Sequence, residues 1–182
     1  PPGGGKTVVA GALMQNQPGR TLFLVHRDEL GDQAERTTRA MGATVEREQA
    51  YQYADESPMF GDKSRVVVST VQTQISGRHG NRRMDRFDPK EFSLLVADEA
   101  HHSPSKSWET TIDYYRNLNP EMKVLGMTAT PDRRDEKALG KIFESVGYVY
   151  EIEDAIHDGW LTPIRQQRIM LDDLDLSQVG KT

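Results

Sequence analysis

The sequence predicts an α/β domain with a mainly parallel central sheet flanked by helices. Two observations support this fold class: short apolar runs recur along the chain, and helix-like segments separate them. Each run is almost continuously apolar, which is typical of strands buried on both faces of a parallel sheet. Buried helices are the alternative, but the runs are shorter than most helices. The four runs are Thr21–His26, Arg65–Val71, Phe92–Asp98 and Lys123–Ala129.

The segments between these runs have the residues expected at helix ends. Asp28–Met41 begins with an acidic residue and is followed by Gly42, which suits an N-cap and a glycine stop. Ala43–Gln49 is a candidate for an extra strand. The other predicted helices are Lys6–Gln15, Trp108–Asn117 and Arg134–Phe143.

The composition limits the class of protein. The 182 residues, 36% of them hydrophobic, suit one domain with a sizeable core. A net charge of −5 argues against a broadly basic surface, although not against a local basic groove. The lack of cysteine excludes disulfides, thiolate metal sites and a cysteine nucleophile. No run approaches the roughly 18 apolar residues of a membrane span, so we expect a cytoplasmic protein without a membrane partner.

Two segments depart from the alternating pattern. Ser76–Pro89 is polar and basic, and we expect an exposed loop or insertion. The basic run Arg78–Lys90 suggests either a nucleic-acid contact or, by a wider margin, a solvated loop. We expect the main domain over residues 1–164, with its N-terminus truncated, and an exit strand and linker over residues 165–182. That exit strand is predicted around Arg165–Leu171.

The first motif, Gly3-Gly4-Gly5-Lys6-Thr7, has the form of the end of a phosphate-binding loop. Glycines let successive backbone N–H groups point at phosphate oxygens, and the following helix adds its positive N-terminal end. Lys6 would reach the β- and γ-phosphates, and the Thr7 hydroxyl would bind Mg²⁺. A flexible glycine-rich terminus is the alternative for this motif taken alone.

The second motif places Asp98 and Glu99 directly after an apolar strand, in the sequence LLVADEAHH. Ligands of open α/β sheets bind outside the carboxyl ends of the strands. There Asp98 can hold Mg²⁺ through water, and Glu99 can accept a proton from the attacking water. Together with the GKT sequence upstream, this motif predicts a nucleotide hydrolase.

The third motif, Gly126–Arg133, ends another apolar strand with the hydroxyls of Thr128 and Thr130. Next to a phosphate site, these hydroxyls could bond to the DEAH carboxylates or to His101. They could in this way relay the state of the nucleotide to other surfaces. A plain strand end with a turn is the alternative.

The five stretches GGGKT, LFLVHRDEL, VVVSTVQT, DEAH and GMTATP resemble motifs I, Ia, Ib, II and III of superfamily 2 helicases, in the same order. The longer wording around DEAHH and GMTATPDRR is similar to the DEAD/DEAH-box group that includes the helicase subunit of type III restriction enzymes and related phage helicases. The resemblance implies a RecA-like P-loop NTPase domain that uses ATP and Mg²⁺.

The resemblance also implies roles for single residues. Residues 3–7 match motif I, while Asp98, Glu99 and His101 match motif II, and Thr128 and Thr130 match motif III. His26 and Arg27 lie in motif Ia and Ser69 and Thr70 in motif Ib, whose counterparts contact the nucleic-acid backbone. Contacts of this kind need only N–H groups, hydroxyls and an occasional arginine, and they are independent of base sequence.

The resemblance implies further parts of a longer protein. A second RecA-like domain would supply arginine fingers, each worth about 10³–10⁵ in rate, so we expect this polypeptide alone to hydrolyse ATP poorly. Nuclease or specificity domains or subunits are possible partners beside the nucleic acid, which we expect to be DNA in a bacterial or phage context.

Two other functions stay open on the sequence. A non-catalytic nucleic-acid-binding or remodelling module would use the nucleotide only as a switch; the intact Lys6, Asp98 and Glu99 argue against a decayed motor. A P-loop kinase is disfavoured by the pairing of DEAH with TAT. A zinc site at His101 and His102 is also disfavoured, because adjacent histidines rarely hold one ion well.

Overall fold

The architecture is that of a computed structural model, which describes residues 5–55, 63–102, 105–129 and 139–165. The chain divides into two compact units, residues 1–149 and 150–182. The first unit holds a five-stranded sheet in which every pairing is parallel. Its strands are β1 (Arg20–Val25), β2 (Val45–Glu48), β3 (Val66–Thr70), β4 (Phe92–Asp98) and β5 (Lys123–Met127).

The sheet has the order β2-β3-β1-β4-β5, and the α/β fold class predicted from the sequence is confirmed. β1 lies in the centre, with Phe23 in register with Val68 of β3 and Val96 of β4. All three side chains are buried, because helices cover both faces of the sheet. The four helices of this unit are α1 (Lys6–Asn16), α2 (Asp28–Ala40), α3 (Val71–Ile75) and α4 (Lys106–Leu118).

The two faces of the sheet have separate apolar cores. On one face, Ala10 and Met14 of α1 and Ala34 of α2 belong to the same buried cluster as Phe23 and Val96. On the other face, residues of α3 and α4 join the alternate residues of the strands. Successive side chains of a strand point to opposite faces, so a continuous apolar run supplies both cores at once.

The segment Ser76–Pro89 was predicted to be an exposed loop, and this prediction is wrong for its second half. The segment forms a 3-10 helix over Arg83–Arg86, and a second follows over Pro89–Glu91. Met84 and Phe87, three residues apart, belong to the core on the α4 face. The surrounding charges hid this i, i+3 apolar pair in the sequence.

The remaining predictions differ from the structure in their bounds or lie outside it. The extra strand expected at Ala43–Gln49 is β2, and α4 begins two residues before the helix predicted at Trp108. Most of the helix predicted over Arg134–Phe143 and nearly all of the strand predicted around Arg165–Leu171 lie outside the described residues. The domain boundary predicted at residue 164 stays a prediction.

The second unit, described over residues 150–165, contains one helix, α5 (Ile152–His157). A capping box between Glu151 and Asp154 begins this helix, with Glu151 N–H donating to Asp154 at 3.0 Å. Nowhere in the described parts of the chain did we find a helix with the length and hydrophobicity to cross a bilayer.

Candidate functional site

An ion pair joins the first and second motifs at the carboxyl edge of the sheet. Lys6 Nζ at the start of α1 lies 3.1 Å from Glu99 Oε1, directly after β4. Both side chains are partly exposed, so solutes can reach the pair. The fold therefore brings together the ammonium and the carboxylate that the sequence proposed for one site.

The start of α1 is shaped by a glycine. Gly5 adopts a φ of 74° at the N-cap position, and its carbonyl accepts from the amides of Val8 at 2.9 Å and Val9 at 3.0 Å. This left-handed conformation is inexpensive for glycine. The first amides of a helix have no carbonyl partner one turn earlier, and the helix dipole makes them attractive to anions. Thr7 lies in this first turn, while Gly3 and Gly4 lie outside the described residues.

The backbone between the two acidic residues turns sharply. Glu99 has a φ of 53°, a left-handed conformation that is uncommon for residues other than glycine. Its N–H donates to Asp98 Oδ1 at 3.0 Å, which stabilises the turn. The strain places the Glu99 carboxylate against Lys6 while Asp98 stays buried at the end of β4.

The environment of Asp98 disfavours its negative charge. Burial is the main cause that raises the pKa of the Asp98 carboxyl above its usual value, and the charge of Glu99 acts in the same direction. The hydrogen bond from the Glu99 amide and the charge of Lys6 lower this pKa, but less strongly. A buried carboxylate in this condition gains from a nearby cation.

These residues fit a magnesium ion. Mg²⁺ takes oxygen ligands and is usually held by one or two carboxylates, water and substrate phosphates. The buried carboxylate of Asp98 and the hydroxyl of Thr7 are donors of this kind. Across the described ranges, no cluster of three His, Cys, Asp or Glu side chains could hold a metal alone, so phosphate oxygens and water would complete the set.

The end of β5 contacts the same site through His101. His101 Nδ1 lies 3.0 Å from Thr128 Oγ1 and 3.4 Å from Glu99 Oε2. A single imidazole therefore links the strand end that carries Thr128 to the carboxylate that contacts Lys6. Thr130, the other predicted coupling residue, lies outside the described residues.

The end of β1 joins the site by a histidine stack that the sequence did not predict. The His26 and His102 rings lie 4.2 Å apart at 21°, and His102 also lies 4.1 Å from the His101 ring. Burial lowers the pKa of His102, and the neighbouring His101 and His26 act in the same direction. The neutral ring is therefore favoured, and it connects motif Ia with motif II. The doubled histidine in DEAHH was the only sign of it in the sequence.

The four residues predicted to contact nucleic acid differ in their surroundings. Arg27 is exposed at the N-cap of α2, and His26 is half-buried. Ser69 is buried, and its hydroxyl donates to the Glu48 carbonyl at 2.8 Å. The Thr70 hydroxyl accepts from the Thr73 amide at 3.1 Å and so caps α3. Both hydroxyls are engaged within the domain, and the predicted contacts stay predictions.

A buried hydrogen-bond chain that the sequence did not predict supports the end of β3. Tyr115 of α4 donates its hydroxyl to Gln74 Oε1 at 2.8 Å, and Gln74 Nε2 donates to Ser69 Oγ at 2.9 Å. All three side chains are buried, so each bond satisfies a group that water cannot reach. The chain fixes the end of β3 to α4, the helix that follows motif II.

Comparison with known proteins identifies the family. The family described as type III restriction enzyme, res subunit, matches residues 1–133. A putative ATP-dependent helicase, IRC3, of Saccharomyces cerevisiae is 31% identical over 192 residues, which cover 99% of this chain and 26% of that protein. A type I restriction enzyme EcoAI endonuclease subunit of Escherichia coli is 26% identical, over 84% of this chain and 18% of that subunit. The chain thus spans about a quarter or less of the length of these relatives.

Solved helicase structures share the fold. The helicase domain of Pyrococcus furiosus Hef matches with a TM-score of 0.61 and 20% identity, over 76% of this chain and 31% of the other. The UvsW helicase of bacteriophage T4 matches with a TM-score of 0.56 and 18% identity, over 78% of this chain and 49% of the other. The chain therefore belongs to the family of the type III restriction enzyme res subunit, and it is a superfamily 2 helicase motor domain with a RecA-like fold, a kind of domain that uses ATP.

Proposed function

We propose that this domain binds the phosphates of Mg-ATP between the start of α1 and the carboxyl ends of β4 and β5. The ion pair between Lys6 and Glu99, 93 positions apart in the chain, is the observation that carries the proposal. A lysine held at a helix N-terminus beside two carboxylates is suited to exchange one anion for another. The β- and γ-phosphates would take the place of Glu99 as the partner of Lys6.

This exchange would also prepare the base. Once Lys6 contacts phosphate, the Glu99 carboxylate loses its cation and becomes a better acceptor for the proton of an attacking water. Mg²⁺ supplies charge neutralisation at the β- and γ-oxygens when it is bound, with Thr7 and Asp98 as its protein ligands. His101 would then report the change at Glu99 to Thr128 at the end of β5.

We propose that the whole protein couples this cycle to movement on DNA. Relatives of the chain carry names such as DNA 3'-5' helicase XPB, and one is a type I restriction enzyme subunit. The exposed Arg27 suits sequence-independent phosphate contacts. A second RecA-like domain, and nuclease or specificity subunits of the restriction type, are the partners that this role requires or permits.

Titration with fluorescently labelled ATP and Mg²⁺ tests the phosphate site. Because a hydrogen bond to a charged group contributes about 1.5–3 kcal/mol, we expect Lys6→Ala to weaken binding at least about tenfold. Glu99→Gln should bind at least as tightly as the wild-type chain, since Lys6 no longer has a competing carboxylate. Lys90→Ala is a matched control, because this exposed lysine lies at the amino end of β4, across the sheet from the site. Equal affinity of Lys6→Ala and wild type would contradict the proposal.

A further inference from the structure

A tight turn directly after β2 carries a fully exposed aromatic ring. Gln49 and Gln52 exchange backbone hydrogen bonds of 2.9 and 2.7 Å, which leaves Ala50 and Tyr51 at the tip. The side chain of Tyr51 is 97% exposed. Ala50 has a φ of 48°, a conformation that costs a residue with a Cβ about 1–3 kcal/mol. A strained turn that displays a large ring to solvent is an outlier with a possible function in binding.

The turn is held from beneath by the basic segment that precedes β4. The Arg83 guanidinium donates to the carbonyls of Ala50 at 2.9 Å and Gln52 at 2.7 Å, and it lies 3.7 Å from the centre of the Tyr53 ring. Arg83 is itself bound by the buried carboxylate of Glu48. These contacts compensate the strain at Ala50 and fix the backbone under Tyr51, so little ordering remains to be done on binding.

The turn lies beside the predicted nucleic-acid track. β2 and β3 are parallel neighbours, and Glu48 is in register with Ser69. Their carboxyl ends therefore lie at the same edge of the sheet, where motif Ib ends β3. Tyr51 follows Glu48 by three residues, which limits the distance between their Cα atoms to about 11 Å. The Tyr51 ring extends the edge that carries Arg27, Ser69 and Thr70.

The surroundings of the ring leave room for a flat ligand. The turn borders an open depression of about 340 Å³, to which Asp32 and Arg47 also contribute. Arg47 forms an ion pair with Asp32 there, so this charge is already balanced and the exposed π-face of Tyr51 is the main binding feature. Stacking of a base on an aromatic ring requires neither a charge nor a particular base.

We propose that Tyr51 is a stacking platform for an unpaired base of single-stranded nucleic acid, next to the phosphate contacts expected at motif Ib. This inference rests on the proposed motor function, because it requires nucleic acid at this edge of the sheet. Bases in a duplex are already stacked on each other, so the platform distinguishes single strands from duplexes.

Fluorescence anisotropy with a labelled oligothymidine and a labelled duplex tests the platform in the whole chain. From the typical contribution of a stacked base, Tyr51→Ala should weaken single-strand binding about 5- to 150-fold and leave duplex binding unchanged. Tyr51→Phe keeps the ring and should bind within about twofold of wild type. Tyr148→Ala, which removes another highly exposed tyrosine, at 82%, should leave single-strand binding unchanged. The Tyr51 variants should melt at the wild-type temperature, because the ring contributes little buried area.

Three results would overturn the inference: single-strand affinity unchanged in Tyr51→Ala, an equal loss for single strand and duplex, or no binding of either oligonucleotide by a wild-type chain that binds ATP. The labelled-ATP titration of the same samples tests the motor function separately. A chain that fails to bind ATP but needs Tyr51 for single strands would contradict the proposed function and support the platform.

Discussion

Replacing Glu48 with alanine should destabilise the first unit more than any surface change. The Glu48 carboxylate is buried at the end of β2, where it binds Arg83 and accepts from Arg86 at 3.1 Å and from the Ala54 amide at 2.8 Å. Glu48→Ala removes the acceptor from all three donors. The change therefore affects the edge strand, the 3-10 helix of the basic segment and the turn that carries Tyr51.

The expected magnitude follows from the burial of each partner. Removing one member of a buried ion pair costs about 3–5 kcal/mol, and a buried N–H without an acceptor costs about 1–3 kcal/mol. The side chains of Arg83 and Arg86 are 14% and 33% exposed, so water compensates part of their loss. We expect the free energy of unfolding to fall by about 3 kcal/mol, which corresponds to about 6–12 °C in Tm. Glu48→Gln keeps an oxygen for the Ala54 amide and should cost about 1–2 kcal/mol.

Urea denaturation followed by the fluorescence of the buried Trp108 measures this change. The exposed Trp160 should first be replaced by phenylalanine, so that the signal reports the core of the first unit. Glu121→Ala is the control, because this exposed glutamate should change stability by less than about 0.5 kcal/mol. A loss below about 1 kcal/mol for Glu48→Ala would refute the reasoning, since the carboxylate would then not be the anchor of the basic segment.

Two other substitutions test the site itself. Asp98→Asn should raise the free energy of unfolding at pH 7 while it weakens magnesium-dependent nucleotide binding; the native pKa of Asp98 is raised by burial, so its charge costs stability as the pH rises above its ordinary value of 3.8, and the gain should vanish in urea titrations below that pH. Gly126→Ala should cost about 1–3 kcal/mol in thermal or urea unfolding, because the added Cβ would lie 2.6 Å from Phe143 Cζ and 3.0 Å from Ala100 Cβ beside motif II. Gly147→Ala, whose Cβ would meet no atom within 4 Å, is the matched control, and equal stability of the two alanine variants would show that the packing at Gly126 is looser than described.

The strands could be predicted because their signal is local. Continuous apolar runs such as Phe92–Asp98 combine burial on both faces with a length too short for most helices. The parallel order then follows from the helices between them, and it places Asp98 and Lys6 at one edge of the sheet. The contact between Lys6 and Glu99 was thus within reach of sequence reasoning, although its geometry was not.

The polar interior could not be predicted because its partners are far apart and have no fixed spacing. Arg83 reads as part of a solvated basic run, yet its partner Glu48 lies 35 residues earlier, at the end of an edge strand. The bond from Tyr115 to Gln74 spans 41 residues in the same way. A charged residue in a sequence indicates solvent unless the partner that neutralises it is known, so a buried pair of this kind is apparent only in the fold.

The position of the nucleotide phosphates tests the central claim most directly. We suggest a crystal structure of the chain with a non-hydrolysable ATP analogue and Mn²⁺, whose anomalous signal locates the metal. The account predicts β- and γ-phosphates at Lys6 Nζ and the first amides of α1, and Mn²⁺ between the Thr7 hydroxyl and the Asp98 carboxylate. It also predicts that the 3.1 Å contact between Lys6 and Glu99 opens. Phosphates bound at another edge of the sheet, or bound with this ion pair intact, would contradict it.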